Sequence, residues 1–344
     1  MIIFTKMKNQ EINYLKKLIS GKKNIVIIPH TNPDGDAIGS ALALMHSLSK
    51  LGHFVSVISP NIAPNFLKWT PGFDKILFHD TNKDFCENLI QNSELIFTLD
   101  FNDLSRVQEM NESILASKAK IILIDHHQNP KNYADLLFCD TKKGSTCELL
   151  YEILNKIGLE KNIDSNIATC LYLGMMTDTG SFQYPNVTFR THEIVSHLIK
   201  KNINTGQINN NVYNNSSISR LKTLGCALES LTILNENKTV FMYLKKDDLQ
   251  RFNFQKGDSE GIVNYGLNLK NIILSVIFIE DLNTENNIKI SFRSKGNFSC
   301  NEFAKQHFNG GGHINAAGAK ENDSLDNTIK KFKKIISNYN TKEK

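Results

Sequence analysis

Apolar runs that end abruptly on acidic or histidine residues are the feature that most constrains the fold of this chain. The run from Asn24 to Pro29 has no polar alternation and ends on His30, and similar runs end on Asp100, on the triplet at 125–127 and on Asp178. Strands without alternation are typical of a parallel sheet that is covered on both faces. The ends of such elements lie at a domain edge, so the pattern predicts that these polar side chains converge in one site.

Helical spacing follows the first of these runs. Apolar residues recur at this spacing between Ile38 and Leu51, so strand, charged loop and helix form a βα unit. Further strands are predicted at 54–58, 95–99, 121–124 and 136–139, and helices at 145–157 and 163–176. Ser145 caps the first of these helices, and Asp164 or Ser165 the second. Strands that alternate with helices indicate a doubly wound, mostly parallel α/β sheet.

The length of 344 residues predicts two domains rather than one hydrophobic core. We expect an α/β domain at 1–192, a helical linker at 193–230 and a smaller mixed α+β domain at 231–344. The linker contains an Asn-rich stretch at 202–219. Strands are expected in the second domain at 239–244, 272–278 and 288–292, followed by an amphipathic helix at 329–339.

Composition excludes several classes of protein. No apolar run approaches the roughly 20 residues that cross a bilayer, and charges at Lys6, Lys8 and Glu11 interrupt the N-terminal run, so we expect neither a membrane span nor a secretory signal, and a cytoplasmic protein. Six scattered cysteines without a C-x-x-C pair argue against zinc knuckles and a disulfide framework. A net charge of +5 suits a small anion better than a long nucleic acid.

The polar stretch after the first strand offers metal ligands at close spacing. His30, Asp34 and Asp36 place one imidazole and two carboxylates within seven residues, so one ion can take His30 and Asp34 and a neighbouring ion can take Asp36. Asp100 is placed to bridge two ions roughly 3.5 to 4 Å apart. An isolated Asp after a strand is usually a cap or turn residue, so neither Asp100 nor Asp178 carries this interpretation alone.

Two adjacent histidines at the end of a buried strand have no use in a purely apolar core. His126 and Asp178 would complete the ligands of the second ion. Mixed imidazole and carboxylate ligation favours Mn²⁺, because Mg²⁺ prefers oxygen ligands and Zn²⁺ prefers more nitrogen or sulfur.

These residues, with Asp125-His126-His127 as the signature triplet, resemble the DHH family of phosphoesterases over nearly the whole chain. The resemblance implies hydrolysis of a phosphoester, with Asp100 and His127 as catalytic residues and His127 beside the scissile phosphate. It also implies that two Mn²⁺ ions activate a water molecule. Their ligands would be His30, Asp34, Asp36, Asp100, His126 and Asp178.

The C-terminal part resembles the DHH-associated domain, through Phe292-Arg293-Ser294 and the stretch 310–318. A triple glycine lets backbone N–H groups approach an anion, and Arg293 offers a fork to phosphate. The active site is therefore expected in a cleft between the two domains. The stretch 258–264 also matches this domain, without an assigned role. Expected substrate contacts are Arg293, Ser294, Gly310, Gly311, Gly312, His313 and Asn315.

Within the family, the two-domain layout resembles the NrnA-type enzymes, which cleave short oligoribonucleotides to mononucleotides and convert 3′-phosphoadenosine 5′-phosphate to AMP. Short RNA or a nucleotide bisphosphate is thus the expected substrate, without long duplex nucleic acid, and a homodimer is compatible with the sequence. A cyclic or linear dinucleotide phosphodiesterase is the alternative, since such enzymes carry the same two domains.

Three other readings fit the sequence less well. A RecJ-like exonuclease would need an extended binding module, and a family II pyrophosphatase would lack the glycine stretch. A sensor that binds nucleotides without catalysis would have lost a ligand, and none of the six is substituted.

Overall fold

A computed structural model of the chain describes residues 8–234, 236, 238–255, 257–312 and 314–339. The chain divides into two compact units, Met1–Asn215 and Ser216–Lys344. The division falls inside the segment 193–230 that was predicted to be a linker. The Asn-rich stretch within it contains a helix with a buried Ile208.

The first unit alternates strands and helices. Its strands are β1 (Asn24–Pro29), β2 (Phe54–Ser59), β3 (Ile76–Phe78), β4 (Leu95–Leu99), β5 (Lys120–Asp125) and β6 (Leu136–Cys139). Its helices are α1 (Asn9–Leu18), α2 (Gly35–Ser49), α3 (Lys83–Gln91), α4 (Met110–Ala116), α5 (Thr146–Ile157), α6 (Ser165–Asp178), α7 (Phe189–Ile199) and α8 (Thr205–Tyr213).

The strands of this unit form one parallel sheet in the order β3-β2-β1-β4-β5-β6. The chain adds strands on one side of β1 and then, from β4 onward, on its other side. The boundary between β1 and β4 is therefore a topological switch point, where the loops after the two strands separate and leave a crevice. The order confirms the doubly wound sheet that the sequence predicts.

Both faces of this sheet are covered, which explains the lack of alternation in its strands. Ile25 and Ile27 of β1 point into a core formed with α2, α5 and α6, whereas Val26 and Ile28 point into a second core formed with α3 and α4. All four side chains are at most 2 % exposed, and each contributes roughly 1.5 to 3 kcal/mol through burial. The rigid sheet thereby fixes the positions of the loops that follow its strands.

The second unit is a mixed α+β structure, as predicted. Its strands are β7 (Thr232–Leu234), β8 (Thr239–Leu244), β9 (Leu274–Glu280), β10 (Ile288–Ser294), β11 (Gly311–Gly312) and β12 (Ala316–Glu321), and its helices are α9 (Ile218–Glu229), α10 (Lys246–Arg251), α11 (Cys300–Phe308) and α12 (Leu325–Asn338). The sheet order is β11-β12-β10-β9-β8-β7, with β8 and β9 parallel and the other pairs antiparallel.

An aromatic core fills one face of the second sheet. Phe278 and Phe292 of the strands pack there against Phe303 of α11 and Phe332 of α12. A smaller core with Ala227 of α9 covers part of the opposite face. Among the helices that the structure describes, none combines the length and apolar character needed to cross a membrane.

Candidate metal centre

The loop after β1 and the first turn of α2 carry the first three predicted ligands into the crevice at the switch point. Asp34 caps α2, since its Oδ1 accepts hydrogen bonds from the backbone N–H groups of Asp36 (3.0 Å) and Ala37 (3.1 Å). The other oxygen, Oδ2, lies 3.8 Å from His30 Nε2. The capping bond therefore orients the Asp34 carboxylate so that one oxygen faces an imidazole.

Asp100 follows β4 directly and lies between two imidazoles. Its Oδ2 is 3.5 Å from His30 Nε2, and its Oδ1 is 3.6 Å from His126 Nε2. The residue is 2 % exposed and has a φ of 66°, a left-handed conformation that is uncommon outside glycine but tolerated by Asp and Asn. A carboxylate whose two oxygens face different donor groups has the arrangement of a bridging ligand.

His126 is held by its other ring nitrogen. Nδ1 lies 3.3 Å from the carbonyl oxygen of Lys143, which selects the tautomer with the proton on Nδ1. Nε2 then points at carboxylates: 3.1 Å from Oδ2 of Asp178, the last residue of α6, and 4.0 Å from Oδ2 of Asp36. Burial alone would lower the pKa of His126, but the hydrogen bond to Asp178 and the neighbouring carboxylate charges raise it well above its ordinary value. Once that proton is released, Nε2 offers a lone pair to a metal ion.

Asp36 is fully buried and is held by the first turn of α5. The backbone N–H groups of Thr146 and Cys147 donate to its Oδ2 (2.6 Å) and Oδ1 (2.9 Å). The Thr146 hydroxyl also donates to Asp100 Oδ1 at 2.8 Å. The positive end of α5 thus stabilises one buried carboxylate directly and a second through a hydroxyl group.

Close approach of α6 to α2 and α5 requires glycine at position 174. A Cβ atom there would lie 2.3 Å from Cys147 Sγ and 2.5 Å from Asp36 Oδ1. Asp36 and Asp178 can therefore face the same imidazole only because one residue of α6 has no side chain.

His127, the third residue of the triplet, makes a different contact. Its Nδ1 lies 2.6 Å from Oδ1 of Asp125, which is fully buried at the end of β5. Burial alone would lower the pKa of the His127 imidazole, but the hydrogen bond to Asp125 and the charge of Asp100 raise it. A protonated ring presents Nε2–H as a donor on the side away from Asp125.

The pKa shifts reflect how closely acidic and basic groups are placed. Burial opposes the charged form of His30, yet its hydrogen bonds to Asp100 and Asp34 raise its pKa to about 10. Burial and the neighbouring charges of Asp100 and Asp178 raise the pKa of Asp36 well above its ordinary value. Mutually repelling buried carboxylates are stabilised either by protonated histidines or by a bound cation.

The donor atoms fit divalent metal ions. Three groups, His30 with Asp34 and Asp100, Asp36 with His126 and Asp178, and Asp100 with His126 and His127, each bring ligand atoms within 4.8 Å of one another. Carboxylate oxygens and imidazole nitrogens are ligands for Mn²⁺ and similar ions. All six residues predicted as ligands are therefore together, and they form a candidate divalent-metal centre.

Arg293 is one of the residues predicted to contact substrate. It lies on β10 between Phe292 and Ser294, whose side chains are buried on one face of the sheet. The Arg293 side chain is half-buried on the other face, and its guanidinium donates to the Phe292 carbonyl at 2.9 Å. The exposed Lys289 shares this face. Ser294 and Asn315 are occupied within the unit: the Asn315 amide donates to Ser294 Oγ at 2.9 Å, and this hydroxyl donates to Phe298 O at 2.7 Å.

The glycine stretch packs closely against β12. The N–H of Gly310 donates to Ala304 O at 3.0 Å, and that of Gly312 to Asn301 Oδ1 at 3.0 Å, so these two N–H groups are engaged inside the unit. A Cβ atom at either position would lie 2.3 Å from a backbone oxygen of β12. Gly311 pairs with β12, and His313 lies outside the described residues. The structure gives Gly310 and Gly312 a steric role that the sequence interpretation did not include.

Sequence reasoning missed the residues that orient the ligands. The sequence pattern places Thr146 in a helix and Asp125 in the triplet at 125–127, but it does not indicate that either residue orients a ligand. The available signal was the sequence Gly144-Ser145-Thr146-Cys147-Glu148, because Ser and Glu at this spacing mark the start of a helix, and the N–H groups of a helix start can bind a carboxylate.

Fold and side chains together define a two-unit α/β protein with a candidate divalent-metal centre at the switch point of its parallel sheet. Residues 24–175 match the N-terminal domain of the DHH family, and residues 237–338 match the DHHA1 domain. The crystal structure of an exopolyphosphatase-related protein from Bacteroides fragilis is 38 % identical, with 98 % of each chain covered and a TM-score of 0.94. The chain belongs to the DHH family.

Several bacterial relatives carry the name bifunctional oligoribonuclease and PAP phosphatase NrnA. The protein from Bacillus subtilis (strain 168) is 28 % identical over 89 % of this chain and 91 % of the relative. The protein from Thermus thermophilus is 27 % identical over 86 % of this chain and 83 % of the relative. These relatives match this chain across both domains.

Proposed function

We propose that this protein is a divalent-metal-dependent phosphoesterase that hydrolyses short oligoribonucleotides to mononucleotides and 3′-phosphoadenosine 5′-phosphate to AMP. The observation that carries the proposal is the convergence of two imidazoles and four aspartates at the β1/β4 switch point. The named activity of the NrnA relatives, which match most of the chain, supports the choice of substrate.

Two ions, which we propose to be Mn²⁺, would be divided between two groups of ligands. His30 and Asp34 would bind one ion, and Asp36, His126 and Asp178 would bind the other. Asp100 would bind both, since its two oxygens face the two imidazoles separately. Bound divalent ions supply Lewis acidity to the phosphoryl group and generate a nucleophile near neutral pH.

The protein's own residues would orient the reaction. Asp100 would hold the two groups of ligands at a fixed distance from each other, because the Thr146 hydroxyl and the left-handed backbone fix the position of its carboxylate. His127, with its Nδ1 bound to Asp125, would donate from Nε2 to a phosphoryl oxygen or to the leaving group. A raised His127 pKa favours the protonated donor at neutral pH.

Arg293 would bind a phosphate of the substrate. A guanidinium can donate two parallel hydrogen bonds to phosphate oxygens, which fixes the ligand's orientation as well as its charge. Gly310, Gly311, Gly312 and the residues that follow would shape this surface, with Ser294 and Asn315 holding the turn after β10. Recognition of one terminal phosphate suits a short substrate better than the interior of a long strand.

A single comparison of substrates tests the proposal. Purified protein with Mn²⁺ is incubated with dinucleotides, 3′-phosphoadenosine 5′-phosphate, cyclic dinucleotides, long single-stranded DNA and pyrophosphate. We expect dinucleotides and the bisphosphate to be hydrolysed fastest, and chelation to abolish activity. Preference for cyclic dinucleotides would establish the alternative phosphodiesterase, and preference for the long strand would contradict the proposal.

The variant Asp100→Asn links this activity to the metal centre. Asn tolerates the left-handed backbone of this position, so the fold should survive while a bridging carboxylate oxygen is lost. We expect a loss of roughly 100- to 1000-fold in kcat. Full activity of the folded variant would exclude this centre as the site of hydrolysis.

A further inference from the structure

One short segment supports three of the six candidate ligands without supplying a ligand itself. This supporting segment, residues 143–147, links the end of β6 to the first turn of α5. The Lys143 carbonyl accepts from His126, and the Thr146 and Cys147 N–H groups hold Asp36. The Thr146 hydroxyl also reaches Asp100. A shift of this segment would therefore disturb both halves of the centre together.

Glu148 holds the supporting segment from the side away from the ligands. Its Oε1 accepts from Lys143 Nζ at 3.0 Å, and its Oε2 accepts from the Gly144 N–H at 3.2 Å and from the Thr191 hydroxyl at 3.1 Å. Glu148 is 2 % exposed, and Gly144 and Thr191 are also buried. The carboxylate thus joins the start of the segment to α7, through donors on three separate groups.

Burying the charged Glu148 carboxylate costs free energy, so its hydrogen bonds are part of the folded structure and not a chance contact at the surface. A buried carboxylate is stable only when its oxygens accept several hydrogen bonds or meet a cation, and Glu148 has both. Glu152, one turn later on α5, instead pairs with Arg190 at 2.9 and 3.0 Å and touches Lys143 at 3.4 Å. Glu152 is paired with the same lysine, but it has no hydrogen bond to the Gly144 N–H.

We propose that Glu148 is a positioning residue for the metal centre, which sets the affinity for the divalent ions by holding the segment 143–147. This inference rests on the proposed metal-dependent function. Groups that orient metal ligands through hydrogen bonds commonly change metal affinity by about 10- to 100-fold when they are removed. Glu148 acts one step further out, because it orients the segment that carries those groups.

Glu148→Gln tests the proposal directly. An amide cannot accept from Lys143, Gly144 and Thr191 together, because its NH₂ group would face a donor. We expect the Kd for Mn²⁺, measured by calorimetry, to rise about tenfold or more, with an altered electron paramagnetic resonance spectrum of the bound ion. Circular dichroism should show an unchanged fold, and kcat should approach the wild-type value at saturating Mn²⁺.

Glu152→Gln is the matched control. It removes the same charge from the same helix and one contact to the same lysine, but leaves the hydrogen bond to Gly144 intact. We expect its Kd for Mn²⁺ to change by about threefold at most. An equal rise of Kd in both variants would show that only the charge acts on the ion, which would overturn the proposal. An unchanged Kd in folded Glu148→Gln protein would also overturn it.

Lys143→Met tests the positioning role of Glu148 if the Glu148→Gln protein does not fold. It keeps the carbonyl that accepts from His126 and removes the side-chain contacts to Glu148 and Glu152, of which Glu152→Gln tests the second separately. We expect a weaker Mn²⁺ affinity in the folded protein, and an unchanged affinity would contradict the positioning role. Failure of wild-type protein to bind Mn²⁺ would instead contradict the proposed function, so the two failures are distinguishable.

Discussion

The carboxylate of Asp125 lies 2.6 Å from Nδ1 of His127, and both residues belong to the same short triplet at the end of β5. His126, between them, turns its Nε2 toward Asp178 instead. Adjacent histidines therefore face different groups: the Nε2 of His126 points at carboxylates of the candidate metal centre, whereas the Nδ1 of His127 is bound to Asp125, which leaves its Nε2 on the other side of the ring.

We predict that Asp125→Asn lowers kcat by roughly 100-fold while leaving the Mn²⁺ affinity within a few-fold of wild type. Asp125 raises the pKa of His127, so its removal lowers that pKa. If protonated His127 is the donor, the alkaline limb of the kcat profile moves to lower pH in the variant. Rates measured between pH 6 and 9 at saturating Mn²⁺ provide the test.

Asp103→Asn is a suitable control for this experiment. Asp103 lies near the same end of the sheet and caps a short helical turn, a role that Asn can also fill. Its pH profile should match wild type. An unchanged profile in Asp125→Asn itself would remove His127 from the role of proton donor.

Sequence reasoning predicted five of the six strands that the structure describes in the first unit, because most of them are buried apolar runs, but it missed β3, which has only three residues. The predicted strand 95–99 coincides with β4, and Asp100 directly after it joins the other predicted ligands. The left-handed backbone of Asp100 and the hydrogen bond from Thr146 could not be predicted, because both depend on elements distant in sequence. Strand β12 was missed because its Ala and Gly residues have little strand propensity.

Gly174→Ala should damage the centre through sterics alone. The new methyl group would overlap Cys147 Sγ and Asp36 Oδ1, and both neighbours are fully buried and cannot move aside easily. We expect a loss of about 1 to 3 kcal/mol in the free energy of unfolding and a weaker Mn²⁺ affinity. Thermal unfolding and calorimetry measure the two effects.

A second glycine of the same unit provides the comparison. Gly206 is exposed in α8, and a Cβ atom there would meet only ordinary contact with Asn204 at 3.5 Å. Gly206→Ala should therefore be neutral or stabilising by about 0.5 to 1 kcal/mol. Equal melting temperatures for the two variants would contradict the close approach of α6 to α2 and α5.

Binding of Mn²⁺ should release protons. The pKa of His30 is raised to about 10 in the metal-free protein, and a protonated imidazole cannot coordinate a metal. Affinity should therefore rise with pH from 6 to 9, with release of on the order of one to two protons at pH 7. Calorimetry in two buffers of different ionisation enthalpy measures this number, and His30→Gln should reduce it.

The same shift predicts how the metal-free protein responds to pH. Because the folded pKa of His30 lies above its unfolded value, its stabilising contribution is complete below about pH 6.5 and is lost as pH rises toward 10. Metal-free protein should accordingly melt at lower temperature at pH 9.5 than at pH 7, and His30→Gln should flatten this dependence. A wild-type melting temperature that does not fall over this range would contradict the protonated His30.

Arg293→Lys should separate charge from geometry in substrate binding. Lysine keeps the positive charge but lacks the planar fork that binds two phosphate oxygens, so we expect KM to rise about tenfold with a smaller change in kcat. Lys289→Gln is the control, because Lys289 shares the strand and the face of Arg293 but is exposed to solvent, which screens its charge. Its KM should stay within about threefold of wild type at physiological salt.

Steady-state kinetics with a dinucleotide and with 3′-phosphoadenosine 5′-phosphate measure both variants. A KM unchanged in Arg293→Lys for both substrates would mean that the phosphate is bound without this guanidinium, and the substrate surface would then have to be sought elsewhere on the second unit.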